Sequence, residues 1–198
     1  MLTSITPLGE RGRGNRWWVT TAALVLGCAL AGAGVGAIAG AFGAVILSGV
    51  SVAWRLGLVG AALAVGVLLE LDRRRRMLPT VRRQVNEDWL RAYRGWVYGL
   101  GFGIQLGTGV ATVVTTSAVY ATFIAAFASA SIGAGALIGG VFGLVRGGSL
   151  LVAWRVRTPA QLAELGRSLG RSEAPVRRVA LLGQSVLAVL AAVAAWAI

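Results

Sequence analysis

No charged residue interrupts positions 17–54, 95–145 or 179–198 of this chain. Stretches that long and apolar match the roughly 20 helical residues that cross a bilayer core. Inside lipid every backbone N–H and C=O must be satisfied internally, so such stretches fold as helices. A soluble domain of 198 residues would carry far more charge than the 13% found here, against 57% hydrophobic residues and a mean hydropathy of +0.76. The expected fold is therefore an all-α, polytopic transmembrane bundle forming one integral membrane domain over residues 1–198. About five spans are predicted, with six as the alternative: 17–47, 52–71, 95–120, 121–145 and 176–198. Loops 72–94 and 146–175 join them on the cytoplasmic side. The arginines at 11–16 precede a run too long for a signal-peptide core, so the first helix is read as uncleaved.

All nineteen basic residues are arginine, and their distribution sets an orientation. With the N-terminus inside, seventeen face the cytoplasm, Arg55 faces outward, and Arg146 lies near the inner end of the fourth span. Trp17, Trp18, Trp96 and Trp154 then fall at inner interfaces, with Trp54 and Trp196 at outer ones. The composition, rich in Ala, Gly, Val and Arg, suggests a high-GC bacterial genome and hence a bacterial inner membrane. The net charge of +12 is read as loop arginines facing anionic lipid, not as a nucleic-acid surface. Short helices opening at Thr80 and at Thr158-Pro159 are predicted to lie along the membrane surface.

FGAVILSGVSVAWR (42–55) and FGLVRGGSLLVAWR (142–155) share one phrase at a spacing of one hundred residues. In this topology the copies run in opposite senses, which makes the first and fourth spans a candidate inverted repeat. Chance similarity between low-complexity spans is the alternative. Small residues recur every four positions at Gly32, Gly36 and Gly40, at Gly95, Gly99, Gly103 and Gly107, and at Gly135, Gly139, Gly143 and Gly147. Files of this kind let helix backbones approach closely in lipid, so they are assigned to helix packing.

The third span is the most polar. Gln105, Thr108, Thr112, Thr115 and Thr116 share a helical arc away from its glycines, and Tyr120 extends it. Such a strip is a candidate substrate pathway, offering hydrogen bonds without fixed charge. The alternative is hydroxyls bonded to their own helix and Gln105 tying two helices together. None of the seven carboxylates is expected in mid-membrane, and Glu70 and Asp72 are expected to pair with Arg73–Arg76. Arg146 is the one candidate charge near a membrane interior, with snorkelling as its alternative.

No catalytic residues can be assembled, and enzymatic activity is not expected. The chain has no histidine and one cysteine, Cys28, so no metal site, cofactor or internal disulfide is expected.

The pairing of first with fourth span, with GFGIQLGTGVATVVTTSAVYATF between them, resembles the CcdA/DsbD-like superfamily of cytochrome c biogenesis transmembrane domains and their exporter-like relatives. That resemblance implies two inverted three-helix repeats and a cysteine in the first helix of each. Here Cys28 has Ala128 one hundred residues on, and the fifth helix of the six-helix plan is missing, since 156–175 is polar, so the implied thiol relay is lost and the scaffold is kept. The expected function is transporter-like, moving a small neutral or anionic solute; the alternative is a non-catalytic subunit of a larger membrane complex. Expected partners are the lipid bilayer and either further copies of the chain or other membrane subunits.

Overall fold

A computed structural model describes residues 5–71, 92–109 and 117–198, and among these every regular element is a helix. α1 (Pro7–Gly12) is a single capped turn and a half, with Pro7 at its start and the Thr6 hydroxyl accepting from Gly9 N at 3.1 Å. α2 (Trp17–Ile46) and α3 (Val52–Leu71) follow. α4 (Gly95–Gly107) and α5 (Ala118–Ala128) are short, and α6 (Ile132–Gly148) runs on through a 3-10 turn, Ser149–Arg155. α7 (Pro159–Ala197) closes the chain. Among the described residues four helical stretches are long and apolar enough to cross a membrane: Trp17–Ile46, Val52–Leu71, Ile132–Arg155 and Ala174–Ala197. The molecule is a multi-pass helical bundle.

Backbone contacts fix the relative directions. Gly99, Gly103 and Gly107 of α4 meet Thr20, Leu24 and Cys28 of α2 in rising order, so α2 and α4 are parallel. Gly32, Gly36 and Gly40 meet Gly139, Gly135 and Ser131 in falling order, so α2 and α6 are antiparallel. α3 and α7 form a second antiparallel pair, with Gly60 beside Ala188–Ala192 and Glu70 beside Arg177. α1 seals one end of the first group: Leu8 N donates to Val156 O at 3.1 Å, and Ile5 is fully buried with Trp17, Tyr98 and Leu150.

The structure draws the middle of the chain differently from the predicted spans. The third span was expected to run unbroken from 95 to 120, but α4 stops at Gly107, and Gly109 takes φ +71. The sequence that follows α4, TGVATVVTTS, is rich in β-branched residues, which are poor helix formers, and opens on a glycine free to take a left-handed turn. The 120/121 boundary falls inside α5; the reversal comes instead at 129–131, where Ala130 takes φ +47 and Ser131 Oγ caps α6 through Ala134 N at 3.4 Å. This turn presses on α2 where Gly43 has no side chain: a Cβ there would lie inside 3.0 Å of the Phe127 carbonyl.

The predicted loop 146–175 is largely helical. α6 includes Arg146, and the helix expected to lie on the surface from Thr158 continues without interruption into the last span. Its start is set by a capping box: Gln161 N donates to Thr158 Oγ1 at 3.3 Å and Thr158 N to Gln161 Oε1 at 3.2 Å. The 39 residues of α7 extend about 58 Å at ~1.5 Å per residue, nearly twice the ~30 Å hydrocarbon core. The polar first turns therefore project beyond any bilayer that the last turns cross. The predicted helix from Thr80 falls almost wholly in 72–91, outside the described residues.

The two copies of the repeated phrase differ in form. Val52–Arg55 opens α3, whereas Val152–Arg155 lies in the 3-10 turn after α6. What the copies share is that Phe42 and Phe142 each lie near the end of a long helix.

Candidate functional site

The core is built on absent side chains. All eleven glycines assigned to packing are buried. At ten of them, Gly32, Gly36, Gly40, Gly95, Gly99, Gly103, Gly107, Gly135, Gly139 and Gly143, an added Cβ would come within 3.0 Å of a neighbouring helix. A Cβ added at Gly147 would meet Val25 Cα at 3.0 Å and Cys28 Sγ at 3.2 Å. Cys28 is fully buried where α2 meets both α4 and α6, and its carbonyl faces Gly107 and Gly143. Close backbone approach of this kind raises dispersion contact in a medium where lipid offers helices no hydrophobic drive to associate.

Against this tight core lies the break in the third crossing. A Cβ added at Gly109 would meet the Phe123 ring of α5 at 2.9 Å and the Phe142 ring of α6 at 3.3 Å. The two rings meet edge to face, with centroids 5.7 Å apart. Of the predicted pathway residues, Gln105 and Thr108 are half-buried at the broken end of α4. The Thr108 hydroxyl donates to the Gln105 carbonyl at 2.8 Å. Tyr120 is half-buried on α5, in a groove shared with Ala62, Gly66 and Leu69 of α3. Thr112, Thr115 and Thr116 lie outside the described residues.

Arg146 stands beside this break. It follows Phe142 by one helical turn, so both occupy one flank of α6, while Gly143 and Gly147 face α2 and Leu137, Leu144 and Val145 are exposed. Its guanidinium lies 5.6 Å from the Phe142 ring centroid. Helical side chains lean toward the N-terminus of their helix, and here that direction leads from the end sealed by α1 back into the bundle.

A second polar cluster, not anticipated from sequence, lies at the last turn of α3. Glu70 is 2% exposed, and its carboxylate accepts from Ser117 N at 2.6 Å and Ser117 Oγ at 2.7 Å. Gln184 of α7, also buried, donates to Ser117 Oγ at 3.3 Å, and Arg177 donates to the Glu70 carbonyl. Ser117 opens α5 without a side-chain cap of its own. Glu70 supplies that cap from a neighbouring helix, meeting the positive end of α5 with a carboxylate. Among the described residues Glu70 is thus held by α5 and α7; Asp72 and Arg73–Arg76, its expected neighbourhood, are outside them. Its sequence signal was an acid inside an apolar run, GVLLEL.

The third cluster locks α1. Glu10, fully buried, accepts from the Tyr98 hydroxyl at 2.5 Å, from Thr20 Oγ1 at 3.0 Å and from Arg13 Nη2 at 2.7 Å. Asn15 Nδ2 donates to the same phenol at 3.2 Å. Burial opposes the charge on Arg13, but its hydrogen bond to Glu10 and the attraction of that carboxylate outweigh the burial and raise its pKa above the ordinary value.

Among the described residues no three His, Cys, Asp or Glu side chains gather as metal ligands. In comparison with known proteins, no family model, curated protein or solved structure matches the chain.

Proposed function

We propose that this chain is a transporter-like protein of a bacterial inner membrane, its N-terminus cytoplasmic, that moves a small neutral or anionic solute past the break between α4 and α5. The observation that carries this reading is the interruption of the third crossing inside the bundle, at Gly107–Gly109. Membrane-embedded backbone departs from helix only where protein or a water-lined cavity can satisfy it. Discontinuous helices of this type form the substrate sites of many transporters. Gln105 and Thr108 flank the break, and Thr112, Thr115 and Thr116 follow it in sequence. The glycine-locked α2–α4–α6 group would act as the frame, and the α3–α7 pair, tied in through Ser117, as the moving part. The CcdA/DsbD-like resemblance agrees with such a scaffold, and Ala128 at the second cysteine position argues against a thiol relay. The test is flux through proteoliposomes bearing the wild type and Thr112→Leu or Thr116→Leu. Reduced flux in the variants supports the pathway, and unchanged flux removes it.

A second reading has its own observation. Among the described residues the Ala174–Ala197 part of α7 packs against α3 and touches Ser117 through Gln184, while Val179, Leu182, Val186, Leu190 and Val193 are exposed. A subunit that helps assemble a larger membrane complex would present such a face to another helix. Extraction in mild detergent, followed by identification of any chain recovered in fixed ratio, tests it: a stoichiometric partner favours this reading, and recovery of the chain alone counts against it.

A further inference from the structure

We infer that the groove between α3 and α5, at the end of the bundle opposite α1, is a phospholipid site in which Arg55 binds the phosphate. The inference does not depend on the transport reading above. The groove measures about 370 Å³ and is lined by Arg55, Leu56 and Val59 of α3 and by Ala125, Ala128 and Ser129. Arg55 is the one charged residue in positions 17–69, and 95–145 and 179–198 contain none. Its guanidinium makes no ion pair or hydrogen bond with any described residue, and Nε is buried with nothing to donate to. Glu70, the next acid along α3, is fifteen residues on, about 22 Å at ~1.5 Å per residue. A buried donor without an acceptor is costly, so the acceptor has to come from outside the chain. Snorkelling would carry the whole guanidinium into water, whereas here Nε stays buried in the groove wall.

The shape of the groove selects the ligand. α3 and α5 run antiparallel, with Ser117 at Gly66 and Ser129 in the same groove as Arg55. Arg55 and Ser129 therefore mark its mouth, and Val59 and Ala125 lead from them toward the middle of the bundle. Trp54, 77% exposed, stands at the level of the mouth, and tryptophan rings settle at the headgroup layer of a bilayer. A phospholipid reproduces this gradient: its phosphate oxygens suit the planar fork of guanidinium donors, and its acyl chain covers the apolar trough. Ser129 Oγ already donates to Ala126 O at 2.6 Å, which leaves Arg55 as the side-chain donor for the phosphate. Basic pockets between transmembrane helices hold lipid head groups in the same way. A free anion would use the guanidinium but not the trough.

The experiment is native mass spectrometry of the full chain, delipidated in detergent and titrated with dioleoyl phosphatidylglycerol or with dioleoylglycerol, which has the same chains and no phosphate. The wild type should bind the phospholipid about tenfold or more tightly, the value of a charge-assisted hydrogen bond. Arg55→Gln should abolish that preference. Arg157→Gln, at the α1 end of the bundle, should keep it. Protection of buried Cys28 from maleimide reports that each variant is folded. If Arg55→Gln fails that check, Val59→Trp decides: it fills the trough and leaves the charge, so phospholipid binding should weaken, and unchanged binding overturns the inference. Equal binding of the two lipids by the wild type overturns it outright. An equal loss in Arg157→Gln would reduce the effect to general charge attraction and also overturns it. Inorganic phosphate in large excess should not displace the phospholipid; displacement would make this a free-anion site and overturn the lipid assignment.

Discussion

Replacing Gly36 by alanine adds one methyl group at the centre of the α2–α6 crossing. Its Cβ would fall inside 3.0 Å of the Gly135 carbonyl and 3.0 Å from Gly139 Cα. Neither is a flexible side chain that can turn aside. Ordinary carbon contact needs ~3.5–4.0 Å, so the two helices must separate locally by about 1 Å, a gap that forfeits a quarter to a half of each dispersion well along the crossing. Overpacking of this kind costs roughly 1–3 kcal/mol, while alanine regains about 0.5–1 kcal/mol of helix propensity. The expected net loss is about 1–2 kcal/mol. Gly34, two residues earlier on the same helix, meets nothing within 4 Å, so Gly34→Ala should be neutral or stabilising by up to about 1 kcal/mol. Gly36→Ala combined with Gly135→Ala should cost less than the sum of the two, because one separation of the helices accommodates both methyls. Cys28, the single thiol and fully buried beneath this crossing, provides the assay: its maleimide reactivity is followed as SDS is titrated into mixed micelles. If Gly36→Ala and Gly34→Ala unfold at the same SDS fraction, the backbone-to-backbone packing described for α2 and α6 is wrong.

Other parts of the bundle make their own predictions. Tyr98→Phe leaves the buried Glu10 carboxylate short of its strongest partner at a cost of about 1–3 kcal/mol, and trypsin should cut faster at Arg11 and Arg13 as α1 undocks; an unchanged rate would contradict the lock. Glu70→Ala removes the cap on α5 and should loosen α3 from α5 and α7. With Cys28→Ala as background, a Gly60→Cys/Ala191→Cys pair, whose Cβ atoms would lie 3.5 Å apart, should oxidise less completely once Glu70→Ala is added. Equal oxidation would show that α7 is held by other contacts.

The long helices were legible because a bilayer leaves the backbone few choices. Trp17–Ile46 and Val52–Leu71 fall within one residue of the predicted spans. The glycine files at period four could be read as a face, and in the structure that face is where α2 meets α4 and α6. Hydropathy alone did not mark the third crossing's break, since TGVATVVTTS, though richer in hydroxyls than its flanks, carries no charge; the clue was β-branched crowding after Gly107. Ala130 at φ +47 gave no residue-level sign of the reversal between α5 and α6, because such turns are usually marked by glycine or asparagine. Arg146 was read as a charge near a membrane interior, with snorkelling as its alternative, and Glu70 as a partner of Arg73–Arg76, which lie outside the described residues. What a buried carboxylate meets depends on neighbours distant in sequence, and for Glu70 that neighbour is Ser117 at the start of α5.

The central claim is that α2 and α6 lie antiparallel in the membrane with their glycine files interleaved in one register. A Cβ built at Gly140 lies 3.6 Å from the Ala33 Cβ, within the ~3.5–4.5 Å span that a disulfide bridges. In native membranes carrying Cys28→Ala, Ala33→Cys/Gly140→Cys should therefore oxidise to an intramolecular disulfide. Ala33→Cys/Gly133→Cys should not, since a Cβ at Gly133 meets nothing within 4 Å. A bond at 33/133 with none at 33/140 would contradict the register on which the frame and the break beside it depend.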